Sequence, residues 1–270
     1  MERIDHHGSS VPVLGLGTWE LRGAACVAAV ERALSLGYRH LDTAQGYDNE
    51  QHVGEGLRRS GIPREEVFVT TKLRPSHCRA ADVRRSTEQS LRALGMEHVD
   101  LLLIHWPNPE VPLEETLGAM RDLQDRGLVR HVGVSNFPPS LVRRAHELAE
   151  LFTNQVEYHP FLSQSALLRE AERCDHLLTA YSPLARGLVD ADPLLREIGA
   201  DHGKTPGQVA LRWLIQQPRV LAIPKAAREA HQRENLEIFD FELSLDEMAA
   251  IGGLDRDERL VDDMDLDWER

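Results

Sequence analysis

The chain has 270 residues, 41% hydrophobic and 28% charged, with 31 basic against 44 acidic side chains and a net charge of −13. That acidity excludes a general nucleic-acid binder, which needs a basic face to neutralise phosphates. Recurring apolar runs argue against disorder, yet the longest, such as VDLLLIHW, fall far short of the ~20 residues a membrane helix requires.

The chain alternates between strand-like and helix-like stretches. MERIDHHGSS has no apolar signal core and reads as a short N-terminal extension. VPVLGLGTW is extended, and the helical spacing from 24 to 36 stops at Gly37. The strand YRHLDTA precedes a helix at 49–59, and VFVTTKL precedes one at 80–94. VDLLLIHW reads as a strand buried on both faces. The helix predicted for 113–126 has Gly127 as its stop. LVRHVGVSNF with a helix at 138–151, TNQVEYH with one at 163–173, and HLLTAYSPL with helices at 193–202 and 205–216 follow. VLAIPK is the last strand and 228–238 the last long helix.

Eight strands, most followed by a helix, imply a parallel sheet, because each crossover must cover a sheet face. Eight such units in about 250 residues are the arithmetic of an α/β chain folded as a (β/α)8 TIM barrel. The expectation is one barrel domain over 1–270, ending in a short acidic segment. The alternative, an open doubly wound sheet, would carry GxGxxG after its first strand, and Gly15, Gly17 and Gly23 lack that spacing. Cys26, Cys78 and Cys174 are widely separated and form no CxxC pair, so no metal ligand is assigned and a reducing, cytoplasmic location is expected.

In such a barrel the active face lies at the carboxyl ends of the strands. Asp42, Tyr47, Lys72 and His105 all fall there. Singly, each has an ordinary explanation: a turn cap, a packing phenol, a surface charge, a satisfied core imidazole. Together they make chemical sense. A free phenol with pKa near ~10 is a poor proton donor at neutral pH. A nearby ammonium is expected to lower that pKa, a carboxylate to hold the ammonium, and an imidazole to orient a carbonyl oxygen.

GLGTW (15–19), GYRHLDTAQGYDNEQHVG (37–54), VTTKL (69–73), VDLLLIHWP (99–107), VGVSNF (132–137), NQVEYHP (154–160), AYSPLARG (180–187), IPK (223–225) and REN (233–235) occur in order. Through these the chain resembles the aldo-keto reductase family over nearly its whole length, nearest the bacterial branch of diketogluconate and small-aldehyde reductases. The resemblance implies Tyr47 as proton donor, Lys72 and Asp42 as the pair that tunes it, and His105 as the residue that orients the carbonyl. It implies NADPH (NADP+) as cofactor, bound without a Rossmann fold. Ser135, Asn136 and Gln155 match positions that hold the carboxamide, Tyr181 the aromatic stacked on nicotinamide, and Ser182, Leu184 and Arg186 the pyrophosphate stretch. Lys225 matches the base at the adenosine 2′-phosphate, Glu234 and Asn235 match adenine contacts, and Trp19 and Trp106 match substrate-pocket walls.

Two departures bear on cofactor choice. Ala226 replaces the usual hydroxyl residue, and His231 replaces the arginine common in NADPH-preferring members. Arg228 is the candidate to compensate, and the expectation is weakened discrimination, with NADH also accepted. The segment 255–270 carries eight acids and three bases, so a preference for neutral over anionic aldehydes is expected. The resulting expectation is a monomeric reductase of small aldehydes or ketones, with no membrane partner. Its alternatives are a dehydrogenase running toward alcohol oxidation and a cofactor-binding regulatory protein.

Overall fold

The computed structural model describes residues 1–261, 264 and 266–268. It opens with an antiparallel hairpin, β1 (Arg3–His6) and β2 (Ser9–Pro12). The parallel strands follow: β3 (Leu16–Gly17), β4 (His40–Asp42), β5 (Phe68–Leu73), β6 (Val99–Ile104), β7 (Val129–Ser135), β8 (Thr153–Glu157), β9 (Leu177–Tyr181) and β10 (Val220–Ala222). Each pairs with its sequence neighbour. Parallel bridges Leu14–Ala222 and Gly17–Lys225 join the ends, with the Gly15 N–H donating to the Ala222 carbonyl at 2.9 Å. The sheet is therefore a closed barrel, and the open alternative is excluded.

The helices between and after the strands are α1 (Gly23–Leu36), α2 (Glu50–Ser60), α3 (Ala80–Leu94), α4 (Leu113–Asp125), α5 (Pro139–His146), α6 (Ser165–Cys174), α7 (Pro193–His202), α8 (Pro206–Ile215), α9 (Glu229–Leu236) and α10 (Leu245–Gly252). Every residue of β5 and β6 is buried, as continuous apolar runs covered on both faces must be. Helix α2 carries two glycines that propensity alone would disfavour. A Cβ on Gly54 would lie 2.1 Å from the Leu94 carbonyl oxygen, and one on Gly56 would lie 2.9 Å from that of Val27. These glycines let α2 lie directly against its neighbours α1 and α3.

The structure differs from the sequence expectations in four places. VPVLGLGTW is two elements, since its first residues belong to the hairpin and only Leu16–Gly17 is barrel strand. Helix α5 ends at His146 instead of 151, because the chain must turn for the Phe152 N–H to reach the Val132 carbonyl. Helical turns over Ala185–Ala191, kinked where Arg186 and Gly187 take left-handed backbone, and helix α10 are absent from the sequence expectations. Ser244 and Glu247 form a capping box at α10, a four-residue signal that is legible in SLDE. No helix among the described residues is long and apolar enough to cross a membrane.

Candidate active site

Register decides which side chains meet at the carboxyl end of the barrel. Gly17 pairs with Asp42, Lys72 with Leu103, Ser135 with Gln155 and Glu157 with Tyr181. Asp42 ends β4, Tyr47 ends a 3-10 turn after it, Lys72 lies one residue inside the end of β5, and His105 follows β6. These strand ends surround a cleft of about 330 Å³.

Lys72 sits beneath the cleft and is fully buried. Its Nζ donates to Asp42 Oδ1 at 2.5 Å, to the Thr43 carbonyl at 2.8 Å and to the Tyr47 hydroxyl at 3.3 Å. Burial pulls the Lys72 pKa down, but Asp42 and Tyr47 outweigh it and hold that pKa above its ordinary value. The second Asp42 oxygen accepts from Gln155 Nε2 at 2.8 Å, so both are engaged. The Tyr47 and His105 rings meet edge to face, with centroids 5.6 Å apart. Burial, reinforced by the Lys72 charge, pushes the His105 pKa down to about 3, leaving a neutral imidazole.

The expected lowering of the phenol pKa is not observed. Burial raises the Tyr47 pKa above its ordinary value, and the opposing pull of Lys72 is the smaller effect. The reasoning from sequence counted the ammonium and omitted the cost of placing a phenolate in a closed site.

Ser135, Asn136, Gln155 and Tyr181 form one hydrogen-bonded wall of the cleft. Ser135 Oγ donates to the Gln155 carbonyl at 2.7 Å, and Asn136 Nδ2 donates to the His105 carbonyl at 3.0 Å. The Tyr181 hydroxyl donates to Asn136 Oδ1 at 2.8 Å. Asn136 adopts φ 61, a left-handed value that Asn tolerates better than most residues. Trp19, Trp106, Ser182, Arg186 and Lys225 also line the cleft, with the Arg186 guanidinium 5.6 Å from the Trp19 ring.

The other expected cofactor residues do not line the cleft. Leu184 packs toward Gly207, Glu234 accepts from Thr205 Oγ1 at 2.6 Å, and Asn235 is buried beside Tyr38. Arg228 and His231 are exposed, at the cap and on the first turns of α9. Lys225 is also exposed and faces Glu20 at 3.8 Å.

Sequence reasoning missed Val261 as a lining residue. It is brought there by Glu157, whose fully buried carboxylate accepts the Leu260 N–H at 2.8 Å, the Val261 N–H at 2.9 Å and a His159 Nε2 contact at 3.0 Å. Glu157 stood inside NQVEYHP with no role assigned. The described acids of the tail are already engaged: Asp255 accepts the Ser163 and Asp257 N–H groups, and Glu258 pairs with Arg256. Asp262, Asp263, Asp265, Glu269 and Arg270, on which the charge expectation also rested, lie outside the described residues.

Comparison with known proteins agrees with this geometry. The family model described as "Aldo/keto reductase family" matches residues 13–256. A methylglyoxal reductase of Yersinia pestis is 38% identical over 257 residues, covering 93% of this chain and 96% of its own. A crystal structure described as a putative 2,5-diketo-D-gluconic acid reductase B superposes with TM-score 0.95 at 48% identity, covering 97% of this chain and 94% of its own. An aldo-keto reductase of Bombyx mori, solved in complex with NADP, superposes with TM-score 0.90 at 32% identity, covering 97% and 95%.

Proposed function

The chain belongs to the aldo/keto reductase family, and on that footing we propose that it reduces small aldehydes or ketones with Tyr47 as the general acid. It is an enzyme of NADPH-dependent carbonyl reduction. The observation that carries the finer reading is the Lys72 ammonium, which bridges the Asp42 carboxylate and the Tyr47 hydroxyl beneath the cleft.

The residues present suit a nicotinamide dinucleotide. Ser135, Asn136 and Gln155 offer the polar wall an amide needs, and the half-buried Tyr181 ring offers a stacking face beside it. Arg186 and Lys225 supply positive charge at the rim for phosphates. When bound, NADPH supplies the hydride. Trp19, Trp106 and Val261 wall the remaining space and exclude water around a small carbonyl. Neutral His105 donates one N–H to the carbonyl oxygen and orients it toward Tyr47. Tyr47, held protonated by burial, gives its proton to that oxygen as negative charge develops, and Lys72 stabilises the phenolate left behind. The raised phenol pKa favours reduction, since alcohol oxidation would require the phenolate at the outset.

Tyr47→Phe should lower kcat for a simple aldehyde by about 10²–10⁴-fold, the usual worth of general acid catalysis. NADPH affinity, read by fluorescence titration, should be unchanged. A variant keeping more than about a third of wild-type turnover would show that another group donates the proton.

A further inference from the structure

At the opposite end of the barrel, beside the amino ends of β9 and β10, histidine and carboxylate side chains also converge. Among the described residues, His6, His7 and Asp175 each place one ligand atom within 4.8 Å of the others. We propose that this cluster binds a divalent transition ion of the zinc class and so staples the N-terminal hairpin to the α6–β9 turn.

The hairpin turn builds half of the site. His7 and Gly8 both have positive φ, 44 and 78, as a tight two-residue turn between twisted strands demands. This directs His7 across the base of the barrel. Its Nδ1 lies 2.8 Å from Glu150 Oε1, and its Nε2 lies 3.1 Å from the Asp175 carbonyl and 3.5 Å from Asp175 Oδ2. A neutral imidazole has only one N–H. If that hydrogen goes to Glu150, the Nε2 lone pair faces two acceptor oxygens. A metal ion at Nε2 relieves the conflict. An imidazole that gives one N–H to a carboxylate and turns its other nitrogen to a metal is a recurrent arrangement at metal centres.

His6 supplies the second observation. Only 8% of it is exposed, and its Nε2 is buried without a hydrogen-bond partner. Its ring lies against that of His7, with centroids 3.9 Å apart. Arg219 holds Asp175 Oδ1 at 2.7 Å, which leaves Oδ2 on the side of His7. The guanidinium opposes a metal ion, but Asp5 and Asp175 line the same cavity and Glu150 pairs with His7 beside it.

Two imidazoles and one carboxylate suit Zn²⁺, Co²⁺ or Ni²⁺ better than Mg²⁺ or Ca²⁺, which favour oxygen. Water would complete the coordination. At the amino end of the barrel such an ion serves stability, not the reaction.

The test uses full-length protein without a polyhistidine tag, stripped with EDTA. Co²⁺ titration should give a visible ligand-field band saturating at one ion per chain, abolished by competing Zn²⁺. Zn²⁺ should also raise Tm. His6→Gln and the exposed Asp175→Asn should each weaken Zn²⁺ binding about tenfold or more and remove the Tm rise, and Glu150→Gln should weaken it about 10–100-fold. Unchanged NADPH turnover in Asp175→Asn would verify that this variant is folded. If affinity is the same in wild type and both ligand variants, the ion sits on other histidines and the proposal is overturned. It is equally overturned if neither ion binds at millimolar concentration.

Discussion

Asp42 and Asp100 are both buried carboxylates on barrel strands, at 1% and 4% exposure, and both touch cations. Asp42 stands at the carboxyl end of β4, Asp100 near the amino end of β6. The cation on Asp42, Lys72, reaches onward to a phenol in an open cleft. Asp100 receives Arg64 at 2.6 Å, Arg130 at 3.2 Å and the Val69 N–H at 2.9 Å. Among the described residues, Arg64 reaches onward to the Val67 and His98 carbonyls. A buried acid paired to a base is thus not itself a sign of chemistry. What distinguishes the two is where the partner's remaining hydrogens point.

Removing the partners should break the two sites in different ways. Lys72→Met should cost turnover heavily, by about 10²-fold or more, because Tyr47 loses the charge that stabilises its phenolate. The alkaline limb of alcohol oxidation should also move to higher pH, since the one strong influence lowering the Tyr47 pKa is gone. An unchanged pH profile would remove Lys72 from the mechanism. Asp100→Asn should leave kcat/KM near wild type and lower stability by about 1–3 kcal/mol, the cost of weakening hydrogen bonds to buried or half-buried donors. A large fall in kcat at unchanged Tm would erase the contrast.

Acid should weaken the base of the barrel most, because it holds several depressed histidines where the mouth has His105. His6 and His131 are pushed down to about 4 and His176 to about 3, in each case chiefly by burial. In the unfolded chain an imidazole takes up its proton near pH 6.5. Between there and about pH 4 the unfolded state therefore binds more protons, and stability present above 6.5 is lost as the pH falls. Denaturant midpoints should drop steadily from pH 7 to 4.5, with hydrogen exchange increasing first around β1, β2 and the start of β9. A flat midpoint over that window would contradict the depressed values.

The barrel was legible because its evidence is local and repeated: apolar runs, glycine stops and helical spacing recur at each unit. The meeting of Asp42, Tyr47, Lys72 and His105 at one end of the barrel was legible because position along a strand, or just after it, translates directly into position on the mouth. Three features were not. The hairpin was hidden because Arg3–His6 and Ser9–Pro12 are short and polar and pair with each other in a sheet of their own, so neither carries the apolar run of a barrel strand. The sign of the Tyr47 shift depends on burial, a property of the closed site. The convergence of His6 and His7 with Asp175 spans 168 residues and has no motif spacing.

Cofactor choice is the next effect in size. Lys225 and Arg186 line the cleft, whereas Arg228 and His231 are exposed on or beside α9 and outside it. We therefore expect only modest preference for NADPH over NADH. A charge-assisted hydrogen bond is worth about 1.5–3 kcal/mol, so His231→Arg should raise the kcat/KM ratio of NADPH to NADH by about tenfold or more. A wild-type preference above about a thousandfold that the arginine leaves unchanged would show that the phosphate is read elsewhere.

Glu157 sharpens the comparison at its smallest scale. It is a buried acid at the mouth, like Asp42, yet its partners are mainly backbone, like one of those of Asp100. By the criterion of onward contacts it belongs with the scaffold, but what it holds is the Val261 wall of the cleft. Glu157→Gln keeps the size of the side chain and replaces one acceptor oxygen by a donor, so at least one of the Leu260 and Val261 N–H groups loses its partner. The tail should then loosen without disturbing Lys72 or Tyr47. Limited proteolysis should cut it faster, and KM for a small aldehyde should rise severalfold while kcat and its pH profile stay put. A fall in kcat with KM unchanged would instead place Glu157 with Asp42 in the chemistry.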